Sequence, residues 1–478
     1  MFDDARKRWW ALYVLCAGVL MIVLDTTIVN VALPSIREDL RFSETSLVWV
    51  VNAYMLTFGG FLLLGGRLGD LFGHRRLFLL GLILFTAASV GCGLANSQGM
   101  LVTARAVQGL GGAIVTAVAL SLIMDLFTEN ADRAKAMGIY GFVCSAGGSI
   151  GVLLGGFLTT TLNWHWIFLV NVPIGALVYA FCLRLLPNAP GTASGAKLDV
   201  AGAVTVTTSL MLAVYGIVDG HEAGWTSPQT VITLGSSVVL LIAFLVIESR
   251  VRHPLMPLAL FRLRNVATAN LVGVLWAAAM FAWFFISALY LQRVLRYNAM
   301  EVGLSFLPAN LIMAAFSLGL SAKIVMRFGI RAPLGAGLLI AAAGLALFAR
   351  APLDGGFIVD VLPGMTLLGI GAGIAFNPVL LGAMSDVAPS ESGLASGMVN
   401  TAFMMGGALG LAVLASFAAM RTDAMLAAGS DGVAALNGGY QLAFVLGATC
   451  AAVAAIVGGI FMRTRAAPAT EGLTSGAE

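Results

Sequence analysis

Two charged residues fall inside stretches otherwise fit only for lipid. One is Asp25, in Leu24-Asp25-Thr26-Thr27-Ile28-Val29-Asn30; the other is Arg105, in Thr103-Ala104-Arg105-Ala106-Val107-Gln108. Counted from Trp9 at the helical rise, Asp25 lies about 24 Å along its helix. That is well inside a hydrocarbon core of about 30 Å. A carboxylate there costs roughly 2.5–3.5 kcal/mol on insertion scales, so it reads as functional, and Arg105 is its obvious partner. The chemistry open to such a pair is proton exchange: Asp25 takes up a proton and loosens its hold on Arg105 and its polar neighbours. A static pair, or an Arg105 side chain reaching for the inner interface, is the other reading. Static buried pairs rarely improve on apolar packing, which favours the exchanging pair.

Two further constellations stand out. Gly66-Arg67-Leu68-Gly69-Asp70-Leu71-Phe72-Gly73-His74-Arg75-Arg76 is a short basic loop carrying one acid between glycines. The arginines fit any loop facing the cytoplasm, whereas Asp70 can cap a helix N-terminus or latch one conformation across that face. Gly147, Gly151, Gly155 and Gly156 recur at helical spacing and put a smooth ridge on one helix face. Such a ridge allows close backbone approach, either as tight packing or as a sliding seam between two halves. Gly147-Gly148-Ser149-Ile150-Gly151 also satisfies the G-x-S-x-G pattern of hydrolases, but a continuous apolar helix is the wrong setting for it.

The elements that position these residues follow from composition. The 478 residues are 59% hydrophobic and 10% charged, against about 25% charged in ordinary globular chains. That excludes a soluble domain, and a net charge of +3 is too small to argue for nucleic acid. The chain reads as an all-α polytopic membrane protein of about fourteen spans. Their expected limits are 9–33, 46–66, 77–95, 101–124, 136–160, 166–186, 200–219, 230–247, 267–291, 300–321, 332–350, 358–382, 395–419 and 440–462. Arg6-Lys7-Arg8 before the first run resembles a signal peptide, yet the run is too long and lacks a small-residue cleavage site.

With the N-terminus inside, most of the 26 Lys and Arg fall in cytoplasmic loops. Only Arg37, Arg41, Arg293, Arg296, Arg350 and Arg421 fall outside, which predicts both termini in the cytoplasm. Pro187 to Lys197 reads as a flexible connector and Glu248 to Asn265 as a second. They divide the chain into a six-helix block over 1–190, a connector with two additional helices over 191–255, and a second six-helix block over 256–465. A disordered tail over 466–478 follows. Lys323 through Arg331, with Gly329, echoes the 66–76 loop, as in folds built from two repeated halves. Cys16, Cys92, Cys144, Cys182 and Cys450 lie in apolar spans at no ligand spacing, so neither a disulfide framework nor a metal site is expected. Asp219 and Asp360 are expected at solvated span ends, and the four histidines in loops or at span ends without pairing.

Four motifs carry a family likeness. Leu24 to Pro34 resembles the first-helix motif of the fourteen-helix drug:proton antiporters of the major facilitator superfamily. Residues 65–76 resemble the superfamily's loop between second and third helices, with Leu71 where a basic residue is common and His74 where Arg is usual. The Arg105 stretch resembles the fourth-helix motif. Residues 147–156 resemble the antiporter motif of the fifth helix, with Val152 where the family usually has proline. Trp164 to Pro173 is also similar to the family's junction between fifth and sixth helices.

The resemblance implies a major facilitator fold of two six-helix bundles plus two extra central helices. It makes Asp25 the proton-coupling acid, Arg105 its electrostatic partner, and Gly66, Asp70, Gly73, Arg75 and Arg76 the cytoplasmic gate. It gives Asn30, Trp49, Asn52, Tyr54, Gln108, Trp276, Trp283, Asn377, Asn400 and Met404 as candidates for the wall of a midplane substrate cavity. It also implies a monomer in the cell membrane.

The expected function is proton-coupled export of lipophilic compounds, without cofactor, metal or ATP site, since no G-x-x-x-x-G-K-[ST] occurs. A single deep carboxylate favours neutral or monocationic substrates. Export of one endogenous metabolite, natural product or lipid is the alternative within transport. A membrane-embedded enzyme or receptor is the alternative outside it.

Overall fold

A computed structural model describes residues 5–43, 45–127, 129–186, 199–251, 254–316, 320–387 and 392–463. The expected connector at 187–197 and the tail over 466–478 lie outside the described residues. Among the described residues the regular structure is entirely helical. The first half of the chain forms α1 (Ala5–Leu40), α2 (Trp49–Phe72), α3 (His74–Gly93), α4 (Gln98–Leu126), α5 (Asn130–Thr161), α6 (Trp166–Leu169) and α7 (Asn171–Leu185). A pair follows, α8 (Val200–Ala223) and α9 (Pro228–Arg250). The remainder forms α10 (Arg264–Leu289), α11 (Ala299–Ala315), α12 (Ser321–Phe328), α13 (Arg331–Phe348), α14 (Leu362–Met384), α15 (Ser392–Ala427) and α16 (Gly432–Phe461).

Apolar composition makes these helices, since only a helix satisfies its own backbone in lipid. Polar residues mark where they start. Ser97 accepts from Met100 N–H at 3.4 Å, and Ser227 accepts from Thr230 N–H at 3.2 Å ahead of Pro228. Asn298 and Glu301 form a reciprocal capping box. Gly73 and Gly329 separate successive helices in the two halves with φ of 94° and 74°, a backbone that side chains resist. The echo between residues 66–76 and 323–331 is therefore also an echo of turn geometry.

Among the described residues twelve helices are long and apolar enough to cross a membrane, against the fourteen spans expected. The two others, Ile150–Thr161 and Ala299–Ala315, are shorter apolar stretches. Ile232, Val239 and Ile242 on α9 are more than half exposed, which suits a surface covered by lipid tails rather than water.

In the first half α1 packs on α5 and α7, and α4 on α2 and α3. In the second half α10, α15 and α16 pack together, and α13 and α14 join α16 and α11. Two seams join the halves: α2 on α15, and α5 on α11. The α8–α9 pair lies against α2 and α15, where Val206 and Phe244 meet Met405.

Candidate functional site

Asp25 sits on α1 with no exposed surface, and α4 brings Arg105 and Gln108 to it. Three residues apart on a helix, these two side chains share a face. Arg105 Nη1 donates to Asp25 Oδ2 at 2.5 Å. Gln108 Nε2 donates to Asp25 Oδ1 at 2.7 Å, and Asn171 Nδ2, from the start of α7, donates to the same oxygen at 3.1 Å. Behind them Gln108 Nε2 reaches Ser89 Oγ on α3 at 2.9 Å, and Ser89 donates to Phe85 O. Arg105 Nε donates to Val50 O on α2 at 2.9 Å, Nη1 also donates to Gln108 Oε1 at 2.7 Å, and the guanidinium lies 4.4 Å from the Tyr54 ring centre. The burial of two charges is thus offset by charge-assisted hydrogen bonds on nearly every polar atom.

Asp25 is singled out on its own helix by what its neighbours do. Thr26 and Thr27 fold back onto Val23 O, and Asn30 Nδ2 donates to Thr26 O at 3.3 Å. These polar groups are satisfied locally, whereas the carboxylate bonds to other helices. All three of its partners are donors. A protonated Asp25 has a hydrogen facing them, so one must turn away or Gln108 must present its oxygen, which now serves Arg105. Proton uptake and the Arg105 contact therefore oppose each other.

The glycine ridge divides its work. Gly147, Gly151 and Gly155 face α1, where a Cβ would meet Val23 Cγ1 at 2.8 Å, Leu24 O at 2.9 Å and Ile28 O at 2.7 Å respectively. Gly156 faces the other half, where a Cβ would meet Ala299 O of α11 at 2.7 Å. Val152 is buried beside it, its carbonyl against Gly303.

In the 66–76 turn Gly66 is half-buried, and the side chain of Asp70 lies outside the described residues. Arg75 Nη2 donates to Leu183 O at the end of α7 at 2.8 Å, so it ties two helices of the same half. Arg76 is exposed. His74 departs from the expected isolation of the histidines: its Nδ1 lies 2.8 Å from Asp125 Oδ2 at the end of α4. Asp219, expected to be solvated, takes a hydrogen bond from Gln229 Nε2 at 2.9 Å.

The residues expected on a cavity wall separate into groups. Trp276 and Asn400 line one recess with Phe376 and Phe403. Gln108 is fully buried and bonded to the carboxylate, its i+3 spacing from Arg105 aiming it there. Tyr54 likewise belongs to the surroundings of Arg105. Asn52 Nδ2 donates to Ala408 O at 2.9 Å and joins α2 to α15. Met404 packs on Gly59 along the same seam, and Trp283 is buried against Phe284 and Phe306. Asn30 is bonded within α1, while Trp49 and Asn377 are half-buried at separate places.

Two members of the carboxylate's shell escaped the sequence reading. Asn171 lies in the 164–173 stretch, where an amide among apolar residues was the available signal. Ser89 gave none, being one small residue in an apolar helix.

The Major Facilitator Superfamily model matches residues 15–411. The chain is 39% identical over 471 residues to the puromycin resistance protein pur8 of Streptomyces alboniger, covering 97% of this chain and 93% of that one. It is 39% identical over 407 residues to the cephamycin export protein CmcT of Amycolatopsis lactamdurans, covering 84% of each. A crystal structure of the nucleoside transporter NupG superposes with a TM-score of 0.69 at 13% identity, covering 95% of this chain and all of that one, a likeness of fold. With a buried acid–base pair between helices suited to crossing a bilayer, and with these relatives, the chain belongs to the major facilitator superfamily and is a multi-pass membrane protein.

Proposed function

We propose that this protein is a proton-coupled exporter of lipophilic, neutral or monocationic compounds, working by alternating access. The observation that carries the reading is the fully buried carboxylate of Asp25, held by donors alone. Relatives named for puromycin resistance and cephamycin export supply the substrate class. In this reading a proton on Asp25 releases Arg105, which stays tethered to α2 through Val50 O. The α1 helix is then free to shift against α2 and α4. Substrate meets the apolar recess at Trp276, Phe376, Asn400 and Phe403. A wall of rings and one amide suits flat, largely apolar molecules.

The chain crosses the membrane fourteen times in this reading, with both termini in the cytoplasm. The 32-residue length of α5 and the succession of α11 and α12 support two crossings beyond the twelve, and the bias of basic residues supports the orientation. The two six-helix blocks over 1–190 and 256–465 rock against each other, with α8 and α9 as the additional pair. Gly66, Asp70, Gly73, Arg75 and Arg76 form the turn that closes the cytoplasmic end, and the protein works as a monomer without catalysing a reaction.

A second reading is favoured by relatives named for single compounds, among them the tetracenomycin C resistance and export protein of Streptomyces glaucescens. In it, this chain exports one natural product. Efflux of a lipophilic monocationic dye and of puromycin, compared among wild type, Asp25→Asn and an uncoupler control, tests both. Uncoupler-sensitive dye efflux that is lost in Asp25→Asn at equal expression upholds the exporter of varied compounds. Efflux of puromycin without dye favours the dedicated one. Normal, uncoupler-sensitive efflux by Asp25→Asn refutes the role given to Asp25.

A further inference from the structure

A second pair of acids is buried at the base of α8 and α9, on helices that contribute nothing to the shell of Asp25. Asp199 caps α8: its Oδ1 accepts from Gly202 N–H at 2.8 Å. Glu248 stands two residues before the end of α9, and its Oε2 accepts from Met256 N–H at 3.1 Å. Each residue is only 3% exposed. The other oxygen of each, Asp199 Oδ2 and Glu248 Oε1, is buried without a hydrogen-bond partner among the described residues. Both of these oxygens lie within 2.9 Å of the point a Cβ on Gly202 would occupy, so they face each other across that glycine. Two ionised carboxylates so placed repel, and among the described residues neither orphaned oxygen has a donor. One proton answers both faults: it cancels one charge and forms a single O–H···O bond between the two orphans.

We propose that Asp199 and Glu248 are a second proton site, a carboxyl pair that holds one proton between Oδ2 and Oε1. The pair fastens the additional helices to the first half of the molecule. Leu255, next to the Met256 amide that Glu248 holds, packs with Ala203 of α8 and Leu64 of α2. One residue earlier, Pro254 O accepts from Arg67 Nη2 of α2 at 3.0 Å. Loss of the shared proton restores repulsion between α8 and α9 at their base and pushes Glu248 from Met256. The segment that Arg67 grips then loosens.

The other acidic, basic or histidine side chains on α2, α8 and α9 are Arg67, whose Nη2 donates to Pro254 O, Arg250, which is exposed, and Asp219 at the opposite end of α8, while the side chains of Asp70, His221 and Glu222 lie outside the described residues. Lys197, Arg252 and His253 flank the pair in sequence, outside the described residues. From α15, Met405 packs with Val206 and Phe244, and Ser416 Oγ donates to Ile217 O of α8; neither carries a charge.

Infrared difference spectroscopy of the full-length protein in lipid nanodiscs tests the site independently of transport. At neutral pH the protein should show a protonated-carboxyl carbonyl stretch that survives Asp25→Asn, disappears in both Glu248→Gln and Asp199→Asn, and bleaches as the pH is raised. If neither substitution alters that region, or if Asp25→Asn removes the band, the pair holds no proton. Efflux supplies the second readout. In Glu248→Gln the amide donates permanently where the proton did, so transport persists and its decline at alkaline pH is flattened. Glu248→Ala, with neither donor nor acceptor, loses it. Equal behaviour of the Gln and Ala variants would overturn the proposal.

Discussion

Neutralising one member of the Asp25–Arg105 pair should damage the protein far more than neutralising both. At 2.5 Å and an effective dielectric constant of about 20, the Coulomb attraction is about 7 kcal/mol. Each ion gives up several kcal/mol of hydration, so the pair as a whole comes close to breaking even. Asp25→Asn leaves the guanidinium buried at 1% exposure and turns an amide N–H₂ toward at least one of three donors. Arg105→Gln leaves a bare carboxylate supported by two neutral amides. Each single variant should lose about 3–5 kcal/mol. The double variant Asp25→Asn/Arg105→Gln buries no charge and should recover most of that loss, to within about 1–2 kcal/mol of wild type. Thermal unfolding of the purified proteins in detergent, with reversibility checked, measures the cycle, and vesicle efflux is read in parallel. All three variants should lack uncoupler-sensitive efflux. Additive single losses would refute the mutual support argued from this geometry. Uncoupler-sensitive transport by the double variant would refute the coupling role.

Other perturbations separate packing from transport. Gly155→Val, which drives a branched side chain into Ile28 O, should cost 3 kcal/mol or so or prevent accumulation of the folded protein, whereas Gly148→Ala, with open space around it, should raise the unfolding midpoint slightly. Asn171→Ala removes one donor to the carboxylate, about 1.5–3 kcal/mol for a bond to a charged group. It should shift the pH dependence of efflux with expression little changed, and an unshifted profile would exclude Asn171 from the shell's work. Gly73→Ala imposes a side chain on a φ of 94° and should cost about 1–2 kcal/mol in thermal unfolding. Trp276→Ala should change the ranking of exported compounds in a substrate panel while leaving uncoupler sensitivity intact.

What the sequence disclosed was anomaly, and what it hid was assembly. A carboxylate and a guanidinium in apolar runs violate the composition around them, so Asp25 and Arg105 could be paired on paper across 80 positions. Glycines four apart were legible for the same reason, because a ridge without side chains predicts a close neighbour, although not that α1 would be that neighbour for three of them. Gln108 was visible as an amide in a span, but its bond to Asp25 follows only when its spacing from Arg105 is considered. Ser89 was silent and Asn171 faint, because small polar residues are common in membrane helices and their meeting depends on three helices converging. Asp199 and Glu248 were silent for another reason. Acids at span ends look solvated, and only the packing of α2, α8 and the segment around Leu255 buries them.

The placement of the ion pair also suggests how a proton can act on both seams between the halves. Asp25 rides on α1, which packs tightly on α5 because Gly147, Gly151 and Gly155 bring no side chain of their own into the contact, so these two helices form one packed body. That body meets the second half through both helices: Val31 O on α1 accepts from Gln292 Nε2 at 2.9 Å, and on α5 Gly156 lies against Ala299 and the Val152 carbonyl against Gly303. Arg105 belongs to a different body, since Val50 O binds it to α2, and α2 touches the second half through Asn52 and Ala408. The bond between Asp25 and Arg105 is therefore a tie between two bodies, each holding one seam. Val31 lies six residues beyond Asp25, about 9 Å along the helix. A small displacement of α1 is thus delivered to the far contact with little loss, because a helix is stiff over that distance. A proton that cuts the tie need not push on the substrate or on the second half. It only has to let the α1–α5 seam and the α2–α15 seam move independently, which is what rocking one half against the other requires.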